Sequence, residues 1–300
     1  MKKALEAILL VCISIWLCSC KKFSIGDTKT ASKDVNSPFQ IIEFCDDVNV
    51  QLLHSDTRHP AGTIIVKAGE NLLDNITAEI ETIDEDTLKF NKLIISNKNT
   101  MNYLHTYDYS IDMVIYYDTL YRLVFTSNAR SIETDTIRGY ECLTQFTQDT
   151  TTWMALASNL YLQVEGGSGN FHVLTNCDRV TTKYTHGTAD IQVSGLTVIA
   201  STYAGYDCHG IIDMSELETT SHYITSYGTN TIIGRAFHTL SVHNANVGRI
   251  YYIKYQKKMP KVIWGHLDEQ GHWVENDTID TIYNCPQLLI PVGDNIIPYP

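Results

Sequence analysis

Three polar side chains recur at one place in a series of glycine-led segments. His172, Asp190 and Asp213 each stand third after a glycine: Gly169, Gly187 and Gly210. If those segments are strands stacked about 4.8 Å apart, the three side chains form one outward column. Two carboxylates about 5 Å apart suit a retaining glycosidase pair, and the same spacing would hold a hard cation. His186 and His209 each directly precede one of these glycines and would offer two imidazoles to zinc. No third ligand accompanies them, whereas a catalytic zinc site wants three protein ligands and a structural site four. The plainer expectation is a polar outward column and two turn histidines, with no cofactor. The chain also lacks the Gly-x-Ser-x-Gly elbow, the His-Glu-x-x-His zinc helix, and the phosphate and dinucleotide loops. Glu165-Gly-Gly-Ser-Gly-Asn170 fits a tight coil corner.

A different chemistry is written at the start of the chain. Lys2 and Lys3 precede an apolar run from Ala7 to Leu17, which ends in Leu17-Cys18-Ser19-Cys20. A basic start, a short apolar core and a small residue before the cut describe an export signal, too short to span a bilayer of about 20 residues. The pattern looks like a bacterial lipobox, in which Cys20 takes a diacylglycerol on its sulfur and is cut free before acylation of its amine. Two or three acyl chains, at about 0.8 kcal/mol per buried methylene, hold a protein to a membrane without crossing it. The membrane is therefore one expected partner. Lys21-Lys22-Phe23 lacks the acidic run that resembles surface-export signals, which leans towards the inner side of an outer membrane and leaves the face open.

Asp-Thr followed by an aliphatic residue or Thr occurs at Thr87, Thr119, Thr136, Thr150, Thr278 and Thr281. This is similar to an O-glycosylation sequon of exported proteins in some Gram-negative bacteria, although Asp and Thr are also ordinary strand-edge residues.

The chain carries 22 Lys and Arg against 34 Asp and Glu, a net charge of −12. Loss of Lys2, Lys3 and Glu6 with the signal makes it more negative still. Such a chain repels phosphate backbones, so nucleic acid is excluded as a partner; envelope glycans or proteins are not. Cys45, Cys142, Cys177, Cys208 and Cys285 remain beyond the anchor. Their odd number and lack of Cys-x-x-Cys spacing favour buried thiols over a disulfide framework.

What must position these residues is a body of short strands. Residues 1–19 read as signal, 20–38 as lipidated cysteine and flexible tether, 39–253 as the domain and 254–300 as a cap. Period-two alternation begins at Phe39 and recurs through Val48–Leu52, Thr63–Val66, Leu88–Phe90 and Ile111–Ile115, with one helical turn at Asn71–Asn75. Later, Gly169, Gly187, Gly210, Gly228 and Gly248 recur about every twenty residues, each restarting the alternation. On that register Phe171, Ala189, Ile212, Asn230 and Ile250 face inward, as do Val173, Ile191, Met214, Ile232 and Tyr252. A coil that buries one face against its own far side needs this pattern, and a Greek-key sandwich does not predict it. The fold class expected is all-β, a right-handed parallel β-helix of single-stranded solenoid type.

The segments Phe39–Glu43, Val48–Leu52, Ile65–Ile76, Asp86–Phe90 and Ile111–Leu120 together resemble the head GIN domain family of putative auto-transporter adhesins from Gram-negative envelopes. The likeness runs from Pro38 to Ile253. It implies a right-handed β-helix in a lipoprotein, with an adhesion role and no active site to carry over. Departures are the insert Asn97–Tyr109 and the tail after Tyr252. In that tail, Val262–Leu267 and His272–Val274 would pair as a hairpin covering the last coil, with Pro286, Pro291, Pro298 and Pro300 following. Trp264 and Trp273 would alternatively form a sugar-stacking platform.

These readings converge on a lipid-anchored, non-catalytic binding or structural module of the envelope. The competing expectations are a carbohydrate-active enzyme using Asp190 and Asp213, and a periplasmic assembly or stress-sensing subunit.

Overall fold

The computed structural model describes residues 25–85, 88–99, 110–126, 130–148, 151–244, 248–253, 261–267, 273–279 and 296–298. The signal, Cys20, Thr87, Thr150, Thr281, Cys285 and nearly all of the Asn97–Tyr109 insert lie outside the described residues. The chain is all-β. In order it forms β1 Thr28–Ser32, β2 Ile41–Phe44, β3 Asn49–His54, β4 Ile64–Gly69, the single helical turn α1 Glu70–Leu73, β5 Ile76–Glu85 and β6 Leu88–Asn97. Next come β7 Asp112–Tyr117, β8 Arg122–Phe125, β9 Ser131–Thr134, β10 Tyr140–Gln148, β11 Thr151–Val164, β12 Asn170–Gly187 and β13 Asp190–Cys208. The chain ends with β14 Ile211–Asp213, β15 Leu217–Ser226, β16 Thr231–Arg235, β17 Thr239–Asn244, β18 Arg249–Ile253, β19 Lys261–Leu267, β20 Trp273–Ile279 and β21 Ile296–Pro298.

These strands join one curled, mixed sheet. One parallel ladder runs β6-β2-β8-β11-β12-β13-β15-β17-β19, and a second runs β7-β3-β9-β12-β13-β14-β16-β18-β21. The long strands β12 and β13 belong to both, so the sheet bends through them and closes its inner faces on one core. Alternation selects that core. Phe171, Ile191, Ile212, Ile232 and Ile250 oppose one another strand by strand, and all are buried. Each such side chain contributes about 1.5–3 kcal/mol on burial.

Three expectations need correction. First, the body is not wholly parallel: β1–β4, β4–β7, β5–β6 and β10–β11 are antiparallel. Short turns allow hairpins wherever a coil would otherwise need a long crossover. Second, the tether is not free up to Pro38. β1 pairs with β4 along its whole length, Lys33 N–H donates to Ile64 O, and Val35 N–H donates to Gly62 O. The β-branched threonines of Thr28-Lys-Thr-Ala-Ser32 cover an edge that β4 would otherwise leave open. Third, the glycine register slips by two in alternate coils. Phe171 opposes Ile191, not Ala189, and Ile212 opposes Ile232, not Asn230. The corner column is therefore Gly169, Ala189, Gly210, Asn230 and Gly248, whereas Gly187 faces Cys208 at the end of β12. A Cβ on Gly210 would lie 1.8 Å from Ala189 O, so that corner admits no side chain. A slip of two preserves which face each residue takes, so alternation cannot detect it.

At the other end, β19 pairs antiparallel with β20 as the expected hairpin, but it also continues the parallel ladder beside β17. Strand pairing thus crosses the expected boundary at residue 254.

Candidate functional site

The outward face of β11, β12, β13, β15 and β17 carries three complete columns: Asn159, Arg179, Ile199, Ser221 and Thr239; then Tyr161, Thr181, Ser201, Tyr223 and Ser241; then Gln163, Lys183, Tyr203, Thr225 and the buried His243. None of the three contains a carboxylate, although the chain as a whole is strongly acidic, and the last two also lack aliphatic side chains. Thr, Ser and Tyr are there because a solvated strand face tolerates them and β-propensity favours Thr and Tyr.

At one edge of this face the tyrosines gather. The Tyr203 and Tyr227 rings lie 5.9 Å apart, Tyr206 and Tyr227 5.2 Å, and Tyr227 and His243 5.5 Å. Tyr227 is half-buried beneath the others, its N–H donating to Ala204 O at 2.8 Å. Burial, with Tyr203 and Tyr206 beside it, raises its hydroxyl above the usual phenol range. Tyr206 is 69% exposed and Tyr203 38%. Its placement comes from a β-bulge. Tyr184 pairs with Ala204 and His186 with Asp207, leaving Gly205 and Tyr206 opposite Thr185 alone. A Cβ at Gly205 would stand 2.6 Å from Thr185 O, so the bulge needs glycine. A bulge of this kind re-aims the side chain beside it.

The site residues expected from the glycine register are not brought together. His172 pairs with Gln192 and Gln192 with Asp213, while Asp190 pairs with Asn170 in a neighbouring column. Asp190 accepts from Ile211 N–H at 2.8 Å and Asp213 from Ser215 N–H at 2.8 Å, so each carboxylate closes a corner. His186 lies opposite Asp207, and His209 hydrogen bonds Thr229 at 2.7 Å; they share no column. No group of three His, Cys, Asp or Glu suited to a metal occurs among the described residues. Thr119 and Thr136 are exposed, and Thr278 lies in β20. Cys45, Cys142, Cys177 and Cys208 carry no disulfide, and burial pushes the Cys177 and Cys208 thiols up to about 11.

Sequence reasoning missed one polar cluster. Asp135 accepts the His54 imidazole Nδ1 at 2.9 Å, the His54 backbone N–H, and the Tyr117 hydroxyl. Burial, then Asp135, raises the Tyr117 hydroxyl above the ordinary phenol range. The three residues sit at the same end of the neighbouring strands β3, β7 and β9, which ties those ends together. Their separation in sequence leaves no local signal; only the strand register joins them. The tyrosine edge was missed too, although Tyr203, Tyr206, Tyr223 and Tyr227 are visible as a spaced set.

A family model described as "putative auto-transporter adhesin, head GIN domain" matches residues 38–254. Among solved structures, a putative adhesin from Bacteroides fragilis is similar with a TM-score of 0.56 at 17% identity, covering 79% of this chain and 91% of that one. A putative lipid binding protein from Parabacteroides distasonis gives a TM-score of 0.47 at 16% identity, covering 80% and 93%. A putative adhesin from Parabacteroides merdae gives 0.42 at 17%, covering 80% and 94%. No curated protein matches. At such identities the Bacteroides fragilis likeness speaks to fold alone.

Proposed function

We propose, from the premise that this chain belongs to the head GIN domain family of putative auto-transporter adhesins, that it is a non-catalytic binding module of the cell envelope, lipid-anchored through Cys20. The observation that carries the binding role is the exposed tyrosine face on β13 and β15, held by a parallel ladder and a bulge. Exposed apolar and aromatic patches of this kind mark interaction surfaces. We read the two ladders around one core as a right-handed parallel β-helix decorated with hairpins.

The test is retention of the mature chain, made with Cys20→Ser, on isolated bacterial envelopes. Replacing Tyr203 and Tyr206 together by Ala is expected to reduce retention at least tenfold with the fold intact by circular dichroism. Unchanged retention would remove the tyrosine face from the function.

The anchor has its own test. In cells, Cys20→Ser is expected to abolish acyl labelling and release the protein from the membrane fraction. Intact mass of the native mature chain then reads the acyl groups and any sugar on Thr119, Thr136 or the other sequons. Persistent labelling of the variant overturns Cys20 as the acceptor.

A further inference from the structure

The geometry points to a neutral pyranose glycan as the ligand of the tyrosine face, an inference that rests on the binding-module reading above. Four observations converge. The rings of Tyr203, Tyr206 and Tyr227 form a connected series, tilted by 55° and 35° at their contacts, with the outer two exposed. A sugar ring has one apolar C–H face and a rim of hydroxyls, so it needs an aromatic surface with hydrogen-bonding groups beside it. Tyrosine supplies both at a low entropic cost, having only two side-chain torsions to fix.

The surroundings match that rim. Ser201, Thr225 and Lys183 adjoin Tyr203 in the ladder, and Tyr223, 47% exposed, lies diagonally next to it. Strands repeat about every 4.8 Å, close to the length of one pyranose unit, so an oligosaccharide crossing the strands meets a fresh row of hydroxyls at each residue.

Charge and apolar content exclude the other classes. Around the tyrosines the formal charges are Lys183, Arg179 in the adjoining column and the opposing carboxylate of Asp207, a balance that is too little to hold a polyanion against a chain of net charge −12. Stable protein partners bury an apolar core, yet the two most exposed aliphatic side chains, Leu143 and Leu156, lie on the β10–β11 hairpin, and Ile199 is the one aliphatic side chain in the three columns. The bulge at Gly205 is the second structural sign. It interrupts alternation so that Tyr206 and Asp207 are both exposed between buried Gly205 and Cys208, which places the most exposed ring beside Tyr227.

The mature chain with Cys20→Ser should be titrated with neutral oligosaccharides of glucose, mannose and N-acetylglucosamine, and with heparin as the polyanion. Tyrosine fluorescence and calorimetry give the affinities. At least one neutral glycan is expected to bind saturably and heparin not to bind. Tyr206→Ala and Tyr203→Ala should each weaken binding tenfold or more, and Tyr206→Phe less than threefold. No binding of any neutral glycan, equal binding of heparin, or affinities within twofold in the two alanine variants would overturn the inference. If envelope retention depends on the tyrosines but no glycan binds, the module reading stands and the ligand class falls. If retention ignores the tyrosines, both fall.

Discussion

Phe125→Ala is expected to destabilise the protein by about 3–5 kcal/mol. The ring is 1% exposed and lies between two others: Phe44 at 5.6 Å and Phe171 at 4.2 Å, both nearly parallel to it. Phe44 belongs to β2, Phe125 to β8 and Phe171 to β12, so this stack binds the hairpin-rich early half to the parallel later half. Truncating the central ring leaves a cavity that neither flanking strand can fill, since both are fixed by ladder pairing. Urea unfolding measures the loss. Phe125→Leu, which retains most of the apolar volume, should cost less than half as much. A loss below about 1 kcal/mol for the alanine variant would mean that the stack carries little of the core energy.

Acid should weaken the fold through His222. Its imidazole is fully buried in a column with Val180, Ala200 and Leu240, and Nε2 meets Thr202 Oγ1 at 2.8 Å. Burial pushes its pKa down to about 4, with a smaller opposing pull from the Arg235 backbone. Thr202 and Gly234 lie beside it, and no charged side chain contributes to the shift. Because the folded pKa is depressed from 6.5, the neutral fold has its full stability above the unfolded value. As pH falls from there to about 4, the unfolded chain takes up a proton that the folded one refuses. The loss reaches on the order of 3 kcal/mol and then levels off. Unfolding free energies at pH 7 and pH 4.5 should therefore diverge in wild type, and His222→Leu should remove most of the divergence. Parallel pH profiles for the two proteins would refute the role of His222.

How far these features could be read from sequence depends on the range of the information. Alternation assigned the inward residues well: Phe171, Val173, Ile212, Met214, Ile250 and Tyr252 are all buried. The helical turn at Asn71–Asn75 starts one residue after α1 and ends two after it, and the late hairpin is present. Register was legible only modulo two, which is why His172, Asp190 and Asp213 were expected in one column. The slip at Gly187 and Gly228 arises where Ala189 and Asn230 replace glycine at the corner, a substitution that hydrophobic patterning does not weigh. Asn230 was expected to need a buried partner; Ser226 Oγ donates to its Oδ1 at 3.5 Å, and its Nδ2 makes no hydrogen bond among the described residues. β1 was illegible for another reason. Thr28-Lys-Thr-Ala-Ser32 has almost no apolar content, and its order comes from the backbone of β4 rather than from its own side chains.

Docking of β1 also sets how far the module could stand from the anchor proposed at Cys20. Ile25 O already accepts the Asn71 N–H at 3.0 Å, and five residue steps separate Ile25 from Cys20. Fully extended, they span at most about 18 Å. If Cys20 is acylated as proposed, the module would ride against the headgroups rather than on a long stalk, and a ligand would have to come to the membrane to meet it. A pull on the chain ahead of β1 would enter the sheet through the β1–β4 pairing. Peeling residues 25–38 away would release about 50 Å of chain before the main core is loaded. Under the proposed anchoring, the first strand would act as a mechanical fuse between the lipid and the tyrosine face.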